Sequence, residues 1–141
     1  MSSPFQIEPA EHDSIQQRIT QYLQKEQSIV FAYLHGSFQS NCFRDIDIGI
    51  YLKKRLTKAQ TVRYELALES QLQTLLSYPV DVRVLNHAPV SFRFHVIQKG
   101  IVLFSKNEDQ RVEFECRTLS AYHDFATHRK TFMREALGLH L

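Results

Sequence analysis

The chain has 141 residues, 43% of them hydrophobic, with 17 lysines and arginines against 15 aspartates and glutamates. That length suits one domain with its own core, and a formal net charge of +2 argues against nucleic-acid recognition by bulk electrostatics. No apolar run approaches the roughly 18 residues of a membrane span, the stretch MSSPFQIEPAEH lacks the marks of a secretory leader, and Cys42 and Cys116 are too far apart for a metal or redox motif. A cytoplasmic protein with reduced thiols, no membrane partner and no direct nucleic-acid contact is therefore expected.

In chain order, residues 1–10 read as a loose arm. Asp13 is placed to cap a first amphipathic helix over about 13–25, with Ile15, Ile19, Tyr22 and Leu23 at helical spacing. The run from Ile29 to Leu34 is apolar and β-prone, a buried strand, and Gly36-Ser37 breaks it. From Asp45 to Tyr51 the alternation is strict: Asp45, Asp47 and Gly49 on one face, Ile46, Ile48 and Ile50 on the other. After a basic turn at Lys53, Lys54 and Arg55, Thr57 caps a long helix over about 58–77, with Val62, Leu66, Leu72 and Leu76 assigned to its apolar side. Pro79 ends it and opens a third strand over 80–85, in which Val80, Val82 and Val84 oppose Asp81 and Arg83. Pro89 begins a short helix over about 89–98 that Gly100 stops, although the alternation in SFRFHV also fits a strand. Residues 101–105 form a fourth strand. One long helix closes the chain over about 107–137, with Phe114, Thr118, Ala121, Tyr122 and Phe125 as its apolar stripe and an exposed basic end at His128, Arg129, Lys130 and Arg134.

The chemistry concentrates around the second strand. Two aspartates two residues apart on a strand point the same way and repel, which ordinary sheet surfaces avoid. A divalent cation removes the conflict, and hard carboxylate oxygens suit Mg2+. Just before it, Gly36 permits close backbone approach to a phosphate, and Ser37 and the turn's N–H groups donate to phosphate oxygens. If the third strand pairs beside the second, Asp81 joins Asp45 and Asp47. Arg83 then has two readings, a salt bridge to the acids or a contact to a triphosphate. His35 reads as strand-end packing or a hydrogen bond, and the histidines show no zinc spacing.

Gly36-Ser37 followed by Asp45-Ile46-Asp47 resembles the GS…DxD signature of the DNA polymerase β-like nucleotidyltransferases. The wording HGSF…FRDIDIGIY is similar to the minimal nucleotidyltransferases (MNT) that act as antitoxins beside HEPN-domain toxins. The motifs cover about 29–85, and the general layout extends into the last helix. Seven residues separate Ser37 from Asp45, fewer than in many relatives, and the second glycine often found after the GS pair is missing. The resemblance implies an α+β polymerase β-like fold: a small mixed sheet of about four strands flanked by helices, with residues 1–141 as a single nucleotidyltransferase domain. It implies Asp45, Asp47 and Asp81 as catalytic residues and metal ligands, Gly36, Ser37 and Arg83 as nucleotide-binding residues, two Mg2+ ions, and ATP as substrate. It further implies AMP transfer to a tyrosine hydroxyl of a HEPN RNase toxin, in a hetero-oligomer, with release of pyrophosphate. A non-catalytic antitoxin that neutralises by binding, and a small-molecule nucleotidyltransferase, are the alternative readings.

Overall fold

Seven consecutive buried residues, Ile29–His35, form a strand at the interior of a four-stranded sheet. The structure, a computed structural model, describes residues 3–138. Its elements are β1 (Phe5–Gln6), α1 (Pro9–Gln24), β2 (Ile29–His35), β3 (Cys42–Phe43), β4 (Ile46–Leu52), α2 (Lys58–Leu76), β5 (Val80–Val84), α3 (Val90–Lys99), β6 (Ile101–Ser105) and α4 (Glu108–Leu137). The main sheet runs β5-β4-β2-β6. β2 is antiparallel to both its neighbours, while β4 and β5 are parallel. Parallel neighbours need a crossover, and α2 supplies it.

Strand alternation divides the sheet into two faces. Ala32, Leu34, Ile46, Ile48, Ile50, Val80, Val82 and Val84 form one core with Ile15, Ile19 and Leu23 of α1 and Leu68, Leu72 and Leu76 of α2. On the opposite face Phe31, Tyr33, Leu85, Val96 and Phe114 form a second cluster, joining the sheet to α3 and α4. Phe31 stacks on Tyr51 at 4.7 Å between centroids and meets Phe114 at 5.4 Å. The Tyr33 hydroxyl donates to Glu115 at 2.5 Å, and Arg111 closes the network on Glu115 at 2.6 Å.

Several sequence expectations change here. Of the segment read as a loose arm, residues 1 and 2 lie outside the described residues, as do 139–141 at the other end. The remainder is ordered: β1 pairs antiparallel with β3, Phe5 opposite Phe43, and the Phe5 ring packs on Phe43 and Tyr78 at 5.7 and 5.1 Å. Helix α1 begins at Pro9, with Glu8 as N-cap, so Asp13 lies a turn inside it. Proline at the first helical position lacks an N–H that would be unpaired anyway, and its φ suits the helix. On α2, Thr57 does cap: its side chain accepts from the Gln60 N–H at 3.2 Å while Gln60 Oε1 accepts from the Thr57 N–H at 3.0 Å. Its buried face is Leu68, Leu72 and Leu76, whereas Val62 and Leu66 are 46% and 59% exposed. Leu66 and Leu72 are six positions apart, which at about 100° per residue places them some 120° from each other. The 90–99 stretch folds as helix with Pro89 as its N-cap, because Phe92 and Val96 then fall four apart on one inward face. The α4 stripe leaves the core early. Phe114 and Thr118 are buried, Tyr122 stacks on Phe94 at 3.8 Å, and Phe125 is 58% exposed.

The free edge of β5 is closed by α2 side chains. Val80, Val82 and Val84 donate their N–H groups to Gln73 Oε1, Glu69 Oε1 and Glu65 Oε2 at 3.1, 3.0 and 2.8 Å. The acceptors are four residues apart and the donors two, so one helix turn serves each strand pair. An edge strand otherwise offers its unpaired N–H groups to another chain. Truncating Glu65 to alanine should cost about 1–3 kcal/mol, the usual cost of leaving a buried donor unpaired. Glu65→Gln, which keeps the acceptor, should cost much less. Urea unfolding of the two variants checks this, and equal losses would remove the clamp as the cause.

Candidate active site

The site follows from register. Across the parallel ladder Asp47 stands opposite Asp81, and across the antiparallel one it stands opposite His35. Directly paired residues share a sheet face, so His35, Asp47 and Asp81 form a row across three strands. Asp45 lies two positions before Asp47 and falls on the same side. The alternate residues Ile46, Ile48, Ile50, Val80, Val82 and Val84 are buried in the opposite core and hold the row outward.

Gly36 closes one side of the row. Its φ is +76°, and a Cβ there would lie 2.1 Å from Asp47 Oδ2. Both the left-handed backbone and the close approach therefore require glycine. Residues Gly36–Gln39 form a 3-10 turn, with Phe38 buried beneath it. The turn is pinned by the ring of His12, which stacks on Phe38 at 4.3 Å and hydrogen-bonds the Phe38 carbonyl. Ser37 is exposed, and its hydroxyl oxygen accepts from the Arg44 N–H at 3.3 Å. A cleft of about 450 Å³ opens over this turn, lined by Gly36, Ser37, Gln39, Ser40, His95 and Lys99.

Asp47 is strongly perturbed by its surroundings. Its carboxyl is pushed up to about 7, by burial first, then by the charges of Asp45 and Asp81 and a hydrogen bond with Asp45, while Arg83 opposes the shift. Arg83 Nε meets Asp81 Oδ1 at 3.3 Å, an ion pair that fits the salt-bridge reading of Arg83. Arg83 also borders a larger cavity of about 630 Å³, between Leu56, Val62, Pro89 and Phe92. Among the described residues, no three His, Cys, Asp or Glu side chains stand ready to hold one metal ion. The donor chemistry nonetheless fits a hard cation at Asp45 and Asp47. A half-buried Asp47 that shares a hydrogen bond with the neighbouring Asp45 carboxylate, and is raised by it, is relieved by a divalent charge in place of the proton.

His35, His95 and Lys99 were not assigned to the site from sequence. His95 and Lys99 reach it on α3, more than fifty residues beyond Gly36, and no local pattern marks them. His35 is 7% exposed, packed at the strand end, and its Nε2 is sealed from solvent with no hydrogen-bond partner among the described residues. Burial, then the proximity of His95, holds its imidazole below the ordinary histidine range, against the pull of Asp81 and Asp45.

The family model for polymerase beta nucleotidyltransferases matches residues 17–109, from within α1 to the first turn of α4. The chain belongs to the polymerase beta nucleotidyltransferase family. No curated protein matches it in sequence. Solved structures share the fold of this nucleotidyltransferase. A chain from the complex of a tri-AMPylated Shewanella oneidensis HEPN toxin with its MNT antitoxin is 20% identical, with a TM-score of 0.70 over 89% of this chain and 98% of that one. A chain of the toxin–antitoxin MntA–HepT is 20% identical, with a TM-score of 0.68 over 89% and 98%. A chain of a toxin–antitoxin with AMP-PNP is 23% identical, with a TM-score of 0.69 over 86% and 98%.

The raised Asp47 has a consequence for stability. Its folded-state value of about 7 lies above its ordinary 3.8, so between those values the folded chain binds the extra proton. Stability then falls as pH rises. In chelator, unfolding free energy should decline from about pH 4 to pH 7, and Asp47→Asn should flatten that slope. Denaturant melts across this range check it, and a slope unchanged in the variant would show that Asp47 is not its source.

Proposed function

We propose that this nucleotidyltransferase is the antitoxin of a HEPN toxin, transferring AMP from ATP to a tyrosine hydroxyl of that toxin in the cytoplasm, with Mg2+ bound. In this reading residues 1–141 serve as a single nucleotidyltransferase domain. The observation that carries it is the row of Asp47 and Asp81 across the parallel ladder, with Asp45 beside it and Gly36 against Asp47. The shared fold with chains of HEPN–MNT complexes, one holding a tri-AMPylated toxin, supports the choice of partner and acceptor.

The residues divide the work. Asp45 and Asp47 would hold the ion that accompanies the triphosphate, and Asp81 would complete a second ion site with them. Bound divalent cations neutralise charge on the phosphates and ease ionisation of the acceptor. The turn N–H groups at Gly36-Ser37 and the Ser37 hydroxyl receive phosphate oxygens. Arg83 moves from Asp81 to the triphosphate as the nucleotide and its ions arrive, exchanging one charge-assisted bond for another. The tyrosine hydroxyl gives its proton to solvent water, its oxygen forms a bond to the α-phosphorus, the bond from that phosphorus to its bridging oxygen breaks, and pyrophosphate departs with the electron pair. A tyrosine hydroxyl, with an ordinary pKa near 10, ionises more readily beside a cation than a serine hydroxyl.

One observation favours a second reading. Asp81 is ion-paired to Arg83, and no three-ligand group is preformed among the described residues. That arrangement suits an antitoxin which neutralises its toxin by occlusion, without turnover.

Co-expression with the product of the neighbouring gene separates the two. Intact masses of the partner should rise by one or more AMP units, and the increase should vanish with Asp45→Asn/Asp47→Asn. A tight complex that protects cells equally with that double variant, and adds no mass, would establish occlusion instead. Within the transfer reading, Asp81→Asn should lower turnover by orders of magnitude, as loss of a metal ligand does. Its melting temperature should stay level or rise, because a repelling carboxylate is gone. A variant that fails to fold would make Asp81 a structural residue.

A further inference from the structure

Two cavities adjoin the acidic row, and they differ in character. The cleft of about 450 Å³ over the Gly36-Ser37 turn is bordered by polar residues, among them His95 and Lys99 of α3, and its Gly36 lies against Asp47. The larger cavity, of about 630 Å³, is walled by Leu56, Val62, Val84, Ala88, Pro89 and Phe92. Small-molecule sites are mostly apolar and of this size. Solvent reaches it, since Val62 is 46% exposed and the Arg83 side chain 60%. Two contacts join this cavity to the row. Arg83, on its wall, is ion-paired with Asp81 at 3.3 Å. The Phe92 ring, also on its wall, meets edge-on at 5.7 Å the ring of His35, which pairs opposite Asp47. One helix borders both spaces. The N-cap Pro89 and Phe92 line the apolar one, while His95 and Lys99 line the polar one.

We infer that the apolar cavity is the nucleoside subsite, which holds the base of the nucleotide whose triphosphate lies over the Gly36-Ser37 turn. The inference rests on the nucleotidyl-transfer reading above and places the other half of that substrate. A nucleoside triphosphate joins two unlike parts, a polyanion and a flat aromatic base. The cleft at the turn, with backbone N–H groups and Lys99, suits the polyanion. The apolar wall, with the Phe92 ring in it, suits the base. One ligand laid across the row then fills both spaces and leaves its α-phosphate between them, beside the cations proposed for Asp45, Asp47 and Asp81. Arg83 stands where the cavity meets the acids, in keeping with its proposed move to the triphosphate. The exposure of Val62 also follows. The core of α2 is Leu68, Leu72 and Leu76, so Val62 is left over, and a seated base would cover it from water. The competing occupant is the aromatic ring of an acceptor tyrosine. The nucleotide is favoured because both cavities touch the same row and share α3, so a single molecule accounts for the two.

The test uses the full chain and Val62→Trp, which sets an indole at the mouth of the cavity from an exposed helical position. Both are titrated calorimetrically, with Mg2+ present, against ATP and against inorganic tripolyphosphate. The variant should bind ATP at least about ten-fold more weakly, the order of loss when an aromatic group is denied its buried seat. Its affinity for tripolyphosphate and its melting temperature should match those of the unaltered chain. Unchanged ATP affinity, or equal weakening toward both ligands, would overturn the subsite. If the variant binds ATP normally but no longer transfers AMP to its partner, the cavity belongs to the acceptor and the inference falls. Should Val62→Trp not fold, the unaltered chain still decides: with ATP and Mg2+ bound, the base protons should show nuclear Overhauser contacts to the methyl groups of Leu56 and Val62, and their absence overturns the assignment. An unaltered chain that binds neither ATP nor tripolyphosphate overturns the nucleotide reading together with this one, whereas equal ATP binding by both chains overturns only the subsite.

Discussion

The pairing of Asp47 with Asp81 across parallel strands is the arrangement on which the rest of this molecule depends. Two carboxylates in register on a half-buried face repel, and Asp45 adds a third charge. The sheet keeps them there because the intervening residues are anchored. Ile46, Ile48, Ile50 and Val82 are fully buried, and Val80 and Val84 nearly so. Each such side chain contributes about 1.5–3 kcal/mol by leaving water. A slip of one residue in either strand would relieve the acids but carry the isoleucines or valines to the wrong face. The core therefore enforces a site that the acids alone would disperse.

Parallel pairing in turn depends on α2. The helix carries the chain back along the sheet, packs Leu68, Leu72 and Leu76 on the aliphatic face, and offers Glu65, Glu69 and Gln73 to the outer edge of β5. That single helix sets the position of Asp81, buries the residues beside it and closes the edge of its strand. The opposite face is divided. Toward one end, aromatic residues of β2 and β4 pack under Phe114 of α4. Toward the other, the same face carries the acids and His35. The glycine turn after β2 lies at the boundary, and α3 brings His95 and Lys99 to it.

Arg83 and Asp47 show how such a face is tolerated without a cation. Arg83 lends a positive charge to Asp81, and Asp47 takes up a proton more readily than an ordinary aspartate. Both are ways of reducing like-charge repulsion. The family match places the chain among the polymerase beta nucleotidyltransferases. The identity of the acceptor is a separate question: a fold shared at about 20% identity supports a partner by analogy, and the chemistry of the site does not by itself select one.

Much of this was legible in the residues themselves. Period-two alternation in IDIGIY and VDVRV determined which side chains are core and which are site, because a strand admits only two faces. The Gly36-Ser37 break, the Thr57 cap and the span of the long last helix were equally local. Facing of Asp81 with Asp47 was readable as a conditional, and the ladder decided it. Other features had no local signal. Phe5 is ordered because Phe43 and Tyr78 are waiting for it, a contact between segments far apart in the chain. Leu66 and Leu68 are both apolar residues of one helix, and only the position of the sheet selects which of them is buried. The 90–99 stretch satisfied both periods, and packing of Phe92 and Val96 beneath α4 selected the helix. The unpaired nitrogen of His35 belongs to the same class. That a histidine ends a strand is written in the sequence, but whether its ring finds a partner depends on side chains from three other elements, which only the folded chain brings together.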